Sequence, residues 1–165
     1  SRRRRCPGRP AQRQGCLLSV SAATPAPAGA TSSRVEHRVG FYETDAMGVV
    51  HHSNYLRFFE RARGEWLREH DRPYTHYMDL GLHFAVTHAE LDYRVGARFD
   101  DLLVVTTWAE WVRGASLRMA YSIARDEELL VTGATEHASV SGENGRVRRI
   151  PKPDRSRLMR LALPG

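Results

Sequence analysis

Lysine is almost missing from this 165-residue chain, with Lys152 alone against 24 arginines. Surface arginine and lysine exchange freely away from bidentate sites, so the skew reads as genome composition. Cysteine is missing where it would matter. Cys6 and Cys16 both precede residue 34, so the body has no thiol for a disulfide or a nucleophile, as suits a reducing compartment. No apolar run approaches the ~18 residues of a membrane span. There is no glycine-rich phosphate loop, dinucleotide fingerprint or Gly-x-Ser-x-Gly elbow. The eight histidines form no His-x-His or His-Glu-x-x-His pattern, so no metal and no cofactor is expected.

Charge is unevenly spread. Residues 1–34 hold seven arginines and no acid, residues 35–145 hold 11 arginines against 18 acids, and residues 146–165 hold seven basic groups and one acid. The net +6 is therefore an acidic body with basic ends. Binding along a nucleic-acid backbone needs clustered cations on the folded part, so no nucleic-acid partner is expected.

The length suits one domain with a sizeable core. Residues 1–33 are rich in Arg, Ala, Pro, Ser and Gly without periodicity, and ordering them would cost about 1–2 kcal/mol per residue. They read as a disordered basic extension ahead of a domain over 34–165. A solvated arm and an upstream extension from a misassigned start are favoured over an organellar transit peptide. Val35, His37, Val39 and Phe41 alternate as in a strand. Ser53 or Asn54 is a candidate N-cap for a helix to about His70. Its apolar stripe is Tyr55, Phe58 or Phe59, Ala62, Trp66 and Leu67, and Gly64 within it suggests close packing. A short helical piece follows near Tyr77. Strands are expected at His83–Val95, Leu102–Val112, Ser116–Arg125, Glu128–Val140 and Val147–Ile150, then a last helix capped by Asp154. One strand, one long helix and a run of strands imply an α+β fold, an antiparallel sheet wrapped around a single helix.

The chemistry concentrates in Glu43-Thr44-Asp45-Ala46-Met47-Gly48-Val49-Val50-His51-His52-Ser53-Asn54-Tyr55. A carboxylate seven residues before a helix start can face a group held by that terminus. There, free N–H donors and the positive dipole end favour developing negative charge. That is the minimum apparatus for attacking a carbonyl and stabilising the resulting oxyanion. Read blandly, Asp45 is a turn acid beside a glycine.

Residues 39–60, with Leu91-Asp92-Tyr93, Ala97-Arg98-Phe99-Asp100-Asp101 and Arg113-Gly114-Ala115-Ser116-Leu117, resemble the 4-hydroxybenzoyl-CoA thioesterase family. The nearest branch looks like the bacterial short acyl-CoA thioesterases associated with the Tol–Pal system. The resemblance spans roughly residues 34–150. It implies a hotdog fold, a homodimer or homotetramer with active sites between subunits, and an acyl-CoA substrate, with acyl carrier protein as another carrier. Asp45 matches the catalytic acid, as nucleophile or general base, and His52 the position whose backbone N–H polarises the thioester carbonyl. Gly48, Val50 and Tyr55 are expected to line the substrate site. On resemblance alone, Arg98 and Ser116 would contact CoA. Two positions depart from the pattern: Phe41 stands where tyrosine is frequent, and Gly96 where proline is, loosening a turn. Glu60 is expected to be a structural ion-pair partner of Arg57, Arg61 or Arg63. The rival functions are a non-catalytic acyl-CoA or acyl carrier protein binding module and a hydratase. A cytoplasmic location is expected, or an organelle if residues 1–33 are a transit peptide.

Overall fold

The structure is a computed structural model, and residues 26–164 are described. Its elements are β1 (Ser32–Arg38), a 3₁₀ turn (Phe41–Glu43), α1 (Asn54–His70), α2 (Tyr74–Asp79), β2 (Leu82–Tyr93), β3 (Leu102–Arg113), β4 (Ser116–Arg125), β5 (Glu128–Ser141) and α3 (Lys152–Leu161). The strands form one sheet in the order β1-β3-β4-β5-β2, with every pair antiparallel. β3 is rich in Val, Thr and Trp, which suit a pleated, buried surface, and seven consecutive residues, Leu103–Ala109, are buried. Two-residue connections at Gly114-Ala115 and Asp126-Glu127 join β3 to β4 and β4 to β5.

The 17-residue α1 lies against this sheet. Its stripe buries Tyr55, both Phe58 and Phe59, Ala62, Trp66 and Leu67, and the Phe59 ring stacks on Tyr121 of β4 at 4.2 Å. At roughly 1.5–3 kcal/mol per large side chain, this stripe is the main apolar term holding the helix in the sheet. Gly133 of β5 makes room for it. A Cβ there would meet the Glu90 carbonyl oxygen at 2.5 Å and the Phe59 ring at 2.8 Å.

Several boundaries differ from the sequence expectations. The first strand occupies 32–38, not 35–41, and Phe41 turns outward, 76% exposed. The folded body therefore begins before residue 34. Ala26 and Ala30 pack on a cluster of Trp108, Ala120 and Ala134, and the Trp66 indole N–H donates to the Thr31 carbonyl. The expectation for residues 1–25 lies outside the described residues. Val147 makes a single bridge to Val140 in place of a sixth strand. Asp154 sits inside the first turn of α3, where Pro151 holds the N-cap position. Its carboxylate accepts from His76 and Arg157, so it docks the helix and does not cap it. Ser53 occupies the N-cap position of α1 without a side-chain cap bond, its hydroxyl pairing with His51 Nδ1. Gly64 has no neighbour within 4 Å of a would-be Cβ, so the expected close packing is not made among the described residues.

Candidate active site

Two backbone segments build the site, and one hairpin positions its acid. Thr44 and Val50 bridge, the Asp45 amide donates to the Val49 carbonyl at 2.9 Å, and the Gly48 amide donates back to the Asp45 carbonyl at 2.9 Å. Gly48 closes the turn at φ +72, a conformation side-chain-bearing residues avoid. The Asp45 carboxylate accepts the Met47 amide through Oδ1 at 2.8 Å. Its Oδ2 has no hydrogen bond to any described residue.

The second segment leads into α1. Both ends of the loop are fastened to Glu43, whose carbonyl accepts the His51 amide at 2.9 Å and Asn54 Nδ2 at 2.8 Å. The helix starts at Asn54, so His52 lies two residues ahead of it in a turn. The His51 carbonyl accepts the Asn54 amide, while the His52 N–H donates to no described residue. An unbonded N–H at the positive end of a 17-residue helix is suited to holding an anionic oxygen.

These segments meet across the end of β2. Asp45, Met47, Val49, Val50, His52 and Tyr55 line a 220 Å³ cleft together with Tyr93, Arg94, Val95 and Gly96. The Val50 amide donates to the Ala97 carbonyl at 2.7 Å, and the Ala97 amide donates to the Tyr55 hydroxyl at 3.2 Å. A Cβ on Gly96 would stand 2.9 Å from Val49 Cγ1. The glycine thus tightens this junction where a looser turn was expected. Burial pushes the Tyr55 and Tyr93 hydroxyls above the usual phenol range, so both stay protonated.

Of the residues singled out in the sequence, Asp45, His52, Val50 and Tyr55 converge on this cleft. Tyr55 is core and wall at once, 2% exposed. Gly48 shapes the hairpin without lining the cleft. The Arg98 guanidinium reaches over that hairpin, its Nη1 4.0 Å from where a Gly48 Cβ would be. Ser116 is not brought there. It pairs with Arg113 and Ala138 at the far end of β4, seven residues from Ile123, which shares the Tyr93 row through Val131. That is about 23 Å along the strand. His51 is exposed and its ring lies 4.1 Å from that of His52. Glu60 is exposed and joins no ion pair with a described residue, contrary to expectation. Glu43 and Tyr93 are the structural residues that sequence reasoning left unassigned. Tyr93 stood within a quoted motif, but its contact spans 41 residues. Among the described residues, no three His, Cys, Asp or Glu side chains gather as a metal site.

The thioesterase superfamily matches residues 47–132, beginning two residues after Asp45. The chain belongs to the thioesterase superfamily. An acyl-CoA thioesterase of Haemophilus influenzae, YbgC, is 39% identical over 104 residues, 62% of this chain and 76% of that relative. The acyl-CoA thioester hydrolase YbgC of Escherichia coli O6:H1 is 38% identical over 97 residues, 59% of this chain and 72% of that relative. Among solved structures, TT1821 of Thermus thermophilus superposes with a TM-score of 0.75 at 33% identity, covering 81% of this chain and 99% of that one. The sheet of five antiparallel strands around one long helix is the hotdog fold of this superfamily. No helix among the described residues is long and apolar enough to cross a membrane.

Proposed function

We propose that the protein hydrolyses the thioester bond of acyl-CoA, releasing a free acid and CoA. The observation that supports this reading is the shared cleft: Asp45, whose carboxylate has one untethered oxygen, and His52, whose amide is unbonded ahead of a helix, line the same cavity. In the reaction, the His52 N–H holds the thioester oxygen as it becomes negative. Asp45 either attacks the carbonyl carbon or takes a proton from the water that does. The tetrahedral intermediate collapses with loss of the CoA thiolate, which takes up a proton. Where Asp45 is the attacking group, a water then hydrolyses the resulting Asp45–acyl anhydride to the free acid and restores the carboxylate. A well-aimed oxyanion donor is worth about 2.7–4 kcal/mol. Arg98, beside the hairpin, supplies a cation for the CoA phosphates.

The acyl group is short-chain or aromatic, as in the 4-hydroxybenzoyl-CoA branch, and the setting is the cytoplasm. The working unit is a homodimer or homotetramer. β2 is a sheet edge on which Ala85–Glu90 are all exposed, and long unpaired edges seek a second strand. Ser116, remote from the cleft of its own protomer, would contact CoA only from a neighbouring one.

Asp45→Asn tests the assignment. Turnover of a panel of acyl-CoAs should fall by orders of magnitude with folding and assembly unchanged; near-normal turnover would refute it. The alternative, a module that binds acyl-CoA or acyl carrier protein without cleaving it, predicts binding with no free thiol in a thiol-trapping assay.

A further inference from the structure

The Tyr93 hydroxyl, at the last residue of β2, donates to the His52 carbonyl at 3.1 Å. This contact bears on the unbonded His52 amide because two peptide planes meet at the Cα of residue 52. The plane that carries the His52 N–H is held from its other side, where the His51 carbonyl accepts the Asn54 amide at 2.9 Å. The plane that follows is held by Tyr93. With both fixed, the backbone rotations at residue 52 are set, and so is the direction of its N–H.

Tyr93 is itself well supported for this. Its ring meets Tyr55 edge-on, with centroids 5.6 Å apart, and Tyr55 is buried and bonded to Ala97. β2 pairs with β5 through Tyr93↔Val131, so the hydroxyl stands on a strand and not on a loop. The side of Tyr93 away from the core is open, and the residue is half exposed.

We propose that Tyr93 is a positioning residue for the reaction: its hydroxyl ties the His52 turn to the end of β2 and so aims the His52 N–H into the cleft. This rests on the hydrolase reading of that cleft. Small losses of alignment at a reacting centre are costly, about 100-fold for a displacement near 1 Å. The bond is made equally in the ground state and the transition state, yet the amide it aims matters most where negative charge develops.

The test compares Tyr93→Phe, which removes only the hydroxyl, with Tyr93→Leu, which also removes the ring. Acyl-CoA hydrolysis is measured under steady state, and hydrogen exchange is followed at the hydrogen-bonded amides of residues 51 and 54. Tyr93→Phe should lower kcat 10- to 100-fold with KM within about twofold. It should also speed exchange at residues 51 and 54 while β2–β5 amides keep their protection. Tyr93→Leu should add only a few-fold more. Wild-type kcat in Tyr93→Phe with loss only in Tyr93→Leu would make the ring the active part and overturn the proposal. A raised KM with unchanged kcat would also overturn it, by assigning the hydroxyl to substrate. If the wild-type protein cleaves no acyl-CoA, the hydrolase reading fails, whereas the exchange comparison still reports on the tether.

Discussion

Glu43 buries its carboxylate against His37, whose Nε2 donates to Oε2 at 2.8 Å while the Gly40 amide donates to the same oxygen at 2.8 Å. Its carbonyl meanwhile accepts from His51 and Asn54. One residue therefore ties β1, the 3₁₀ turn and the entry to α1 into a single unit behind the cleft. Glu43→Ala removes a charged acceptor from two donors inside the fold. Such a loss costs about 2–3 kcal/mol, read as a lower urea midpoint with an unchanged m-value.

His137 gives the fold a pH dependence. It is fully buried on β5, its Nε2 paired with Thr135 Oγ1 at 2.8 Å within a chain that continues to Tyr121 and Arg63. Burial, reinforced by the nearby Arg63 charge, pulls its pKa down from 6.5 to about 3. The unfolded chain therefore takes up a proton that the folded one refuses. Stability is complete above pH 6.5 and falls as pH drops toward 3, by up to about 1.4 kcal/mol per unit. Urea titrations at pH 7.5 and 5 should show that slope, and His137→Gln should flatten it.

Two glycines should respond in opposite ways to alanine. Gly133→Ala sets a methyl 2.5 Å from the Glu90 carbonyl oxygen, forcing β2 from β5 or Phe59 from its stack. About 1–3 kcal/mol should be lost. Gly64→Ala meets nothing within 4 Å and restricts the unfolded chain, so the fold should gain about 0.5–1 kcal/mol. Thermal melts of the two variants beside wild type decide both.

Arg157 holds α3 to the rest of the protein through the carboxylate of Asp71 and pairs within the helix with Asp154. The Asp71 side chain is fully buried and also accepts from the Tyr77 hydroxyl at 2.5 Å. Arg157→Met strands a buried charge at a cost of about 3–5 kcal/mol. Adding Asp71→Asn should return part of that, which chemical denaturation of the single and double variants would reveal.

The elements defined by local periodicity were legible in the sequence. The stripe of α1 was visible at three- and four-residue steps, and β4 has the expected ends, because burial on one face dictates those patterns. The hairpin around Asp45 was legible too, since its glycine and the following helix start lie within ten residues. Contacts that close over long separations were hidden. Asp154 looks like a cap in sequence, and only packing reveals that His76 and Arg157 claim it. Ser116 stands in a motif beside glycine, yet strand register carries it to the opposite end of the sheet. Glu43 reads as one more acid in a charged run until β1 brings His37 beside it.

Trp108 of β3 forms with Ala120 and Ala134 a cluster on which Ala26 and Ala30 pack from one end of the described chain and Leu163 from the other, the Leu163 amide donating to the Ala109 carbonyl at 3.0 Å. One small cluster built around an indole thereby acts as a latch for both segments. Release of either would wet the ring and shift its fluorescence to the red before the sheet itself gives way.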